Sequence, residues 1–253
     1  MERLGLVGGV SWVSTMEYYR RLNVRAQMQG GGHVSADLVL VNLNFESILA
    51  RQMVGDDVGE YKILERAGEI IQRAGASKLL VCSNTTNHTC DRLQEHLDLQ
   101  VVNIIDATAA HIQRCGYKRV GLLGTRYVME RAFYRERLQN TGIEVVTPEP
   151  PDRRVIHDVI YQELCHGIFS PVSRDILTNT VERLASREVD AVILGCTELP
   201  LALPAVSSEV GIPVIDSIDA HLDAACGSWS GPLDPRTLGT SLSASKSLAA
   251  RSN

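Results

Sequence analysis

"LLVCSNTTNHT", residues 79–89, is an apolar run that stops at a cysteine and turns abruptly into small polar residues. "VILGCTELP", residues 192–200, repeats the pattern 113 positions later. Runs of branched apolar residues bounded by turn formers read as strands covered on both faces, as in a parallel sheet. Six more have the same character: "RLGLVGG", "DLVLVNL", "LQVVNI", "RVGLLGT", "IEVVTP" and "IPVID". Helical patterns lie between them. In 61–75, Ile63, Leu64, Ala67, Ile70, Ile71 and Ala74 recur at spacings of three and four before Gly75. In 152–167, Val155, Ile156, Val159, Ile160 and Leu164 do the same before Gly167. Strand–helix alternation of this kind predicts an α/β fold with right-handed crossovers.

The chain also echoes itself. "RLGLVGG" at 3–9 resembles "RVGLLGT" at 119–125, an offset of 116, and the two polar strand ends are offset by about 113. The expectation is two similar doubly wound α/β domains with mainly parallel sheets and an active site in the cleft between them. Their bounds are 1–104 and 105–216, with a helix at 217–226 packing back on the first domain. Residues 227–253, rich in Ser, Gly and Pro, are expected to be a flexible tail.

A net charge of −5 points away from nucleic acid and anionic membrane as partners. No apolar run approaches the roughly 20 residues that span a bilayer. "MERLGLVGGVSW" leads straight into a strand pattern without signal-peptide anatomy. Six scattered cysteines in 253 residues read as a reduced, cytoplasmic protein. His88, Cys90 and His96 fall on a helical pattern at spacings that share no face, so no metal is expected from them.

Ligands of open parallel sheets bind beyond the carboxyl ends of the strands. "SNTTNH" and "CTELP" both lie at that edge, each where a helix begins. Free backbone N–H groups there suit a carboxylate and are expected to lower the pKa of the Cys196 thiol. Two such edges facing across a cleft would place one proton-transfer group on each side of a small carboxylate. Side chains alternate along a strand, so only one of Cys82 and Ser83 can face the cleft. Spacing alone prefers Ser83 only weakly. "GLVGG" lacks full dinucleotide-site spacing, and "GTRYVMER" lacks the Gly-Lys-Ser/Thr of a P-loop, so neither implies a nucleotide cofactor.

At these residues the chain resembles the aspartate/glutamate racemase family of cofactor-independent amino-acid racemases. "GLVGGVSWVSTMEYY", "SNTTNH", "GLLGTRYVMERAFYRERL", "VIHDVIYQELCHGIF" and "VILGCTELPLAL" match its motifs in order, from residue 3 to about 226. The resemblance implies that Ser83 and Cys196 are the catalytic pair, with Cys82 facing the core. It also implies no cofactor, a small and acidic amino-acid substrate, and a homodimer. Ser11, Thr15, Asn84, Thr85, Thr197 and Glu198 are then candidate substrate contacts. Arg51, after "NFESILA", is the candidate for gripping a second carboxylate, since guanidinium binds one bidentately.

Departures from the family pattern matter. The first catalytic cysteine is Ser83, the opening motif's Glu is Val13, the His after Asn-Thr is displaced to His88, and Cys165 stands where the aspartate-specific branch carries lysine. A hydroxyl is a much weaker acid than a thiol, so the two faces of the substrate carbon should be served unequally. The alternative reading is a single-cysteine decarboxylase or cis–trans isomerase of a small dicarboxylate on the same fold. A third is a binding protein that has lost catalysis.

Overall fold

A computed structural model of the chain describes residues 2–204 and 206–227; the expected tail at 228–253 lies outside the described residues. All eight apolar runs are strands: β1 (Leu4–Gly8), β2 (Leu38–Asn42), β3 (Lys78–Val81), β4 (Gln100–Val102), β5 (Arg119–Gly124), β6 (Glu144–Val146), β7 (Ala191–Gly195) and β8 (Val214–Asp216). They form two four-stranded parallel sheets, ordered β2-β1-β3-β4 and β6-β5-β7-β8. The two sheets thus have the same topology, in line with the sequence echo. Helices cover both faces of each sheet, giving the expected two-domain α/β fold.

The two helical patterns start earlier than their periodicity suggests. The first helix runs Asp57–Arg73 because the Asp56 carboxylate accepts from the Gly59 N–H. The second runs Pro150–Gln162, opened by proline at its first position, and ends in a short 3-10 turn, Leu164–His166.

Alternation along β3 sorts its side chains to two cores. Leu79 and Val81 pack with Val7, Leu64, Ile71 and Leu93, under the helix Asp57–Arg73. Leu80 and Cys82 point the other way, into Leu4, Leu6, Tyr18, Leu22, Ile218 and Leu222. The last two belong to the helix Ser217–Cys226, which lies against the first sheet although it follows the second in sequence. Lys78 Nζ donates to the Ala225 carbonyl at 2.8 Å. Arg21 and Arg25, both buried, pair with Asp216, Asp219 and Asp223 at 2.6–3.2 Å.

His221 on this helix is fully buried. Its Nε2 faces the Val102 carbonyl at 2.8 Å, so that nitrogen carries the proton, and Nδ1 accepts from the Tyr18 hydroxyl at 2.8 Å. Burial pushes its pKa down to about 4. Between that value and roughly 6.5 the unfolded chain takes up a proton that the folded one refuses. This residue's contribution is therefore present above about 6.5 and is lost as pH falls, by roughly 3 kcal/mol at the lower end. Asp219, raised to about 6 by burial and by Asp216, acts in the opposite sense. The expected result is accordingly a difference: the stability advantage of wild type over His221→Gln in urea shrinks steadily from pH 7 to pH 4.5. Parallel profiles would mean that the ring takes up its proton in the folded state.

Candidate active site

The register of the sheets answers which residue stands opposite which. Val7 pairs with Val81, and the Cys82 N–H continues the ladder by donating to the Val7 carbonyl at 2.9 Å, which sets Cys82 beside Gly8. In the second sheet Gly124 pairs with Gly195. Gly8 and Gly124 are equivalent in the sequence echo, so Cys82 corresponds to Gly195 and Ser83 to Cys196. Cys82 is fully buried among hydrocarbon, which pushes its thiol far up.

Ser83, Asn84, Thr85, Cys196, Thr197, Glu198 and Ser11 all line one cavity with an empty volume of about 360 Å³, counted out to its mouth. Val10, Phe45, Gln52, Thr125, Ile160, Tyr161, Cys165 and Gly195 complete its wall. Residues from both sheets' carboxyl edges meet here. Thr85 Oγ1 and Thr125 Oγ1 lie 3.0 Å apart and join the two halves. Asn84 is held from two sides: its Nδ2 donates to Ser217 Oγ at 3.0 Å and its Oδ1 accepts from the Tyr134 hydroxyl at 3.3 Å.

Glu198 is the electrostatic centre of the wall. Its carboxylate is buried and accepts from Ser11 Oγ, from Ser14 Oγ at 2.7 Å, from Thr197 Oγ1 at 3.0 Å and from Cys196 Sγ at 2.9 Å. Cys165 Sγ donates more distantly, at 3.7 Å. Ser14 Oγ and Thr197 Oγ1 are also in hydrogen-bonding contact with each other, so their two protons are shared among these three contacts. Burial first, then the charge of Glu198, push the Cys196 thiol well above its ordinary value. This corrects the expected lowering: desolvation and an adjacent carboxylate outweigh any help from nearby N–H groups. The thiol here is a proton donor, hydrogen-bonded to an anion.

Two sequence candidates lie elsewhere. Arg51 is half exposed, donates to Asp56 Oδ2 at 3.0 Å and faces a surface hollow with Lys62 and Arg66. One residue advances a helix by about 100°, so it is the neighbouring Gln52 that reaches the cleft. Thr15 does not line the cleft; its Oγ1 accepts from Gly9 N–H at 2.8 Å and donates to the Ser11 carbonyl at 3.0 Å, bracing the glycine turn that presents Ser11. Gly9 itself has φ +86°, and a Cβ there would sit 2.1 Å from the Leu43 carbonyl oxygen.

Asn87, which was not among the candidate site residues, pins the first strand end. Its Nδ2 donates to the carbonyls of Val81 and Ser83, while its Oδ1 accepts from the Ile104 N–H at 3.0 Å and Cys90 Sγ at 3.1 Å. Its position directly after Asn-Thr-Thr was the available signal. Among the described residues, no lysine, arginine or histidine lines the cleft.

Comparison with known proteins shows the family. The family model described as Asp/Glu/Hydantoin racemase matches residues 7–225. A candidate Asp/Glu racemase from Yersinia pestis is 40% identical, with a TM-score of 0.80 over 89% of this chain and 97% of that one. An aspartate racemase homologue from Pyrococcus horikoshii is 30% identical, with a TM-score of 0.74 over 88% and 97% of the two chains. A glutamate racemase from Streptococcus sanguinis is 26% identical over 142 residues, a match spanning 55% of this chain and 52% of that protein. With the family model spanning both sheets and their strand ends, the chain belongs to the Asp/Glu/hydantoin racemase family.

Proposed function

We propose that the protein is a cofactor-independent racemase or epimerase of a small amino acid, exchanging the α-proton between Cys196 and Ser83 across the cleft. The observation that carries this reading is the matched register of the two residues at the rim of one cavity. Backbone N–H groups near Asn84, Thr85 and Thr197 would hold the α-carboxylate, whose charge grows as the Cα–H bond breaks and its electron pair spreads into the carboxylate. Arrival of the substrate ammonium beside Glu198 favours the thiolate, because a nearby positive charge stabilises the anion. The thiol proton has Glu198 Oε2 as an acceptor at 2.9 Å. Cys196 then takes the α-proton on one face and the Ser83 hydroxyl returns one on the other; the cycle closes when Ser83 regains a proton from solvent and Glu198 gives up to solvent the one it took from the thiol.

The names of the relatives favour an acidic substrate. The wall favours an uncharged side chain: aspartate would add a second carboxylate beside Glu198 with no lining cation to offset it, and burying an unpaired charge is costly. Phe45, Ile160 and Tyr161 offer apolar surface in its place. The test is deuterium incorporation at Cα in D₂O for both enantiomers of aspartate, glutamate, alanine, asparagine and methionine. Exchange of at least one pair, at different rates for the two enantiomers, is expected; exchange of none would remove the racemase reading. The single cleft thiol contributed by the paired strand ends keeps a decarboxylase as second reading, for which CO₂ release from substituted malonates is the assay.

The same reading includes a homodimer in a reducing compartment. Trp12, Met16 and Tyr19 expose more than half of their surface beside Phe169, an apolar face suited to a second copy. All six cysteines are free thiols. No helix among the described residues is long and apolar enough to cross a membrane.

A further inference from the structure

Outside the cleft, a second group of chemically capable side chains meets where the two halves adjoin. Asp57 and Glu60, from the first turns of the helix Asp57–Arg73, converge on His88, five residues beyond Ser83; one donor atom from each lies within 4.8 Å of the others. Glu60 is fully buried. A buried carboxylate requires either hydrogen bonds to both oxygens or a positive charge. Its Oε1 accepts from Gln52 Nε2 at 3.1 Å, but Oε2 has no partner. His88 Nε2 is likewise buried without a hydrogen bond, although it stands 3.4 Å from Glu60 Oε1. Gln52 Oε1 is the third unsatisfied atom in the same place. Three of the seven buried side-chain polar atoms lacking partners among the described residues therefore gather around one carboxylate. Buried polar atoms without partners are few in folded proteins, and three around one carboxylate call for an explanation such as a bound ion.

We propose that Asp57, Glu60 and His88 bind one divalent transition-metal ion, Zn²⁺ by preference. One imidazole and two carboxylates are a mixed N/O set that suits Zn²⁺, while Mg²⁺ and Ca²⁺ favour oxygen alone. Two donors each about 2.1 Å from a tetrahedral ion stand ~3.4 Å apart, and Glu60 Oε1 and His88 Nε2 are 3.4 Å apart. To reach that same ~3.4 Å spacing, Asp57, an exposed side chain, has to draw in by as much as about 1.4 Å. It also has to share its carboxylate with Arg131, whose Nη1 donates to Oδ1 at 3.0 Å. Two anions and one dication leave the site neutral and engage the bare nitrogen of His88; Glu60 Oε2 is engaged as well when the carboxylate binds through both oxygens.

The position gives the ion a role. Arg131 belongs to the second half, and so does Phe133, whose ring stands edge-on to His88 with centroids 5.7 Å apart. An ion here would tie the helix carrying Glu60 to the chain segment that leaves Ser83, right at the seam. Gln52 joins the site to the cleft wall. The inference does not depend on the racemase reading, because metal content is measured without substrate.

The test uses the full chain, freed of metal by chelation and then dialysed against Zn²⁺ or Co²⁺. One equivalent per chain by elemental analysis is expected, with affinity weakened at least about tenfold in His88→Gln and in Glu60→Gln. Asp57→Asn, at an exposed position, should weaken binding as well and covers the case in which Glu60→Gln does not fold. The Co²⁺ spectrum should show ligand-field bands without sulfur charge transfer. Unchanged binding in the variants, a sulfur charge-transfer band, or no binding by wild type would each overturn the proposal.

Discussion

Replacing Cys196 by serine is expected to lower α-proton exchange by about 10²–10⁴-fold for both enantiomers while leaving the fold intact. A hydroxyl at this position can still donate to Glu198 as the thiol does at 2.9 Å, so the buried carboxylate keeps its partner. What disappears is the acidity. A serine hydroxyl lies far above any thiol, and the adjacent anion raises it further. With Ser83 opposite, the variant has hydroxyls on both faces and no competent base. The pair of measurements is exchange by NMR in D₂O and urea midpoint by circular dichroism. Retention of wild-type exchange in a folded Cys196→Ser protein would remove this thiol from the chemistry. Loss of exchange together with the fold would not support the reading, and Cys196→Ala then distinguishes the two causes.

Glu198→Ala is expected to have the largest effect on stability, roughly 2–6 kcal/mol, because the Ser11 hydroxyl and one of the mutually bonded Ser14 and Thr197 hydroxyls lose their acceptor in a buried place, at about 1–3 kcal/mol each. Glu198→Gln separates this from electrostatics. It keeps the shape and one acceptor oxygen but removes the charge that holds the Cys196 thiol up. With the charge gone, the thiolate forms at lower pH, so the midpoint of the pH profile for iodoacetamide labelling of Cys196 moves down relative to wild type. A midpoint that stays in place would show that burial alone sets the thiol. An upward movement would contradict the charge argument outright.

Much of the architecture was legible because of how parallel sheets are built. Strands covered on both faces must be apolar throughout, so "LLV" and "AVILG" announce themselves without periodicity. The choice between Cys82 and Ser83 was not settled by spacing, since the two strand ends have no common ruler in one dimension. Pairing against Gly8 and Gly124 supplies that ruler, and it exists only once the strands are side by side. Arg51 shows the other limit: its chemistry suited a carboxylate, but helical phase turns it to solvent and brings Gln52 inward. The lowered thiol pKa failed for a related reason. Glu198 was visible two residues from Cys196, yet its burial beneath Ser11 and Ser14, more than 180 positions away in sequence, was not.

The helix Ser217–Cys226 has a bearing on how the chain is made. It supplies Ile218 and Leu222 to the core that Leu4, Leu6 and Leu80 begin, and the Tyr18 hydroxyl and Val102 carbonyl wait for its histidine. During synthesis these early-emerging partners therefore remain without their cover until the helix leaves the ribosome. The N-terminal layer cannot complete itself from its own residues, and its maturation is timed by the arrival of residues more than a hundred positions downstream of β4.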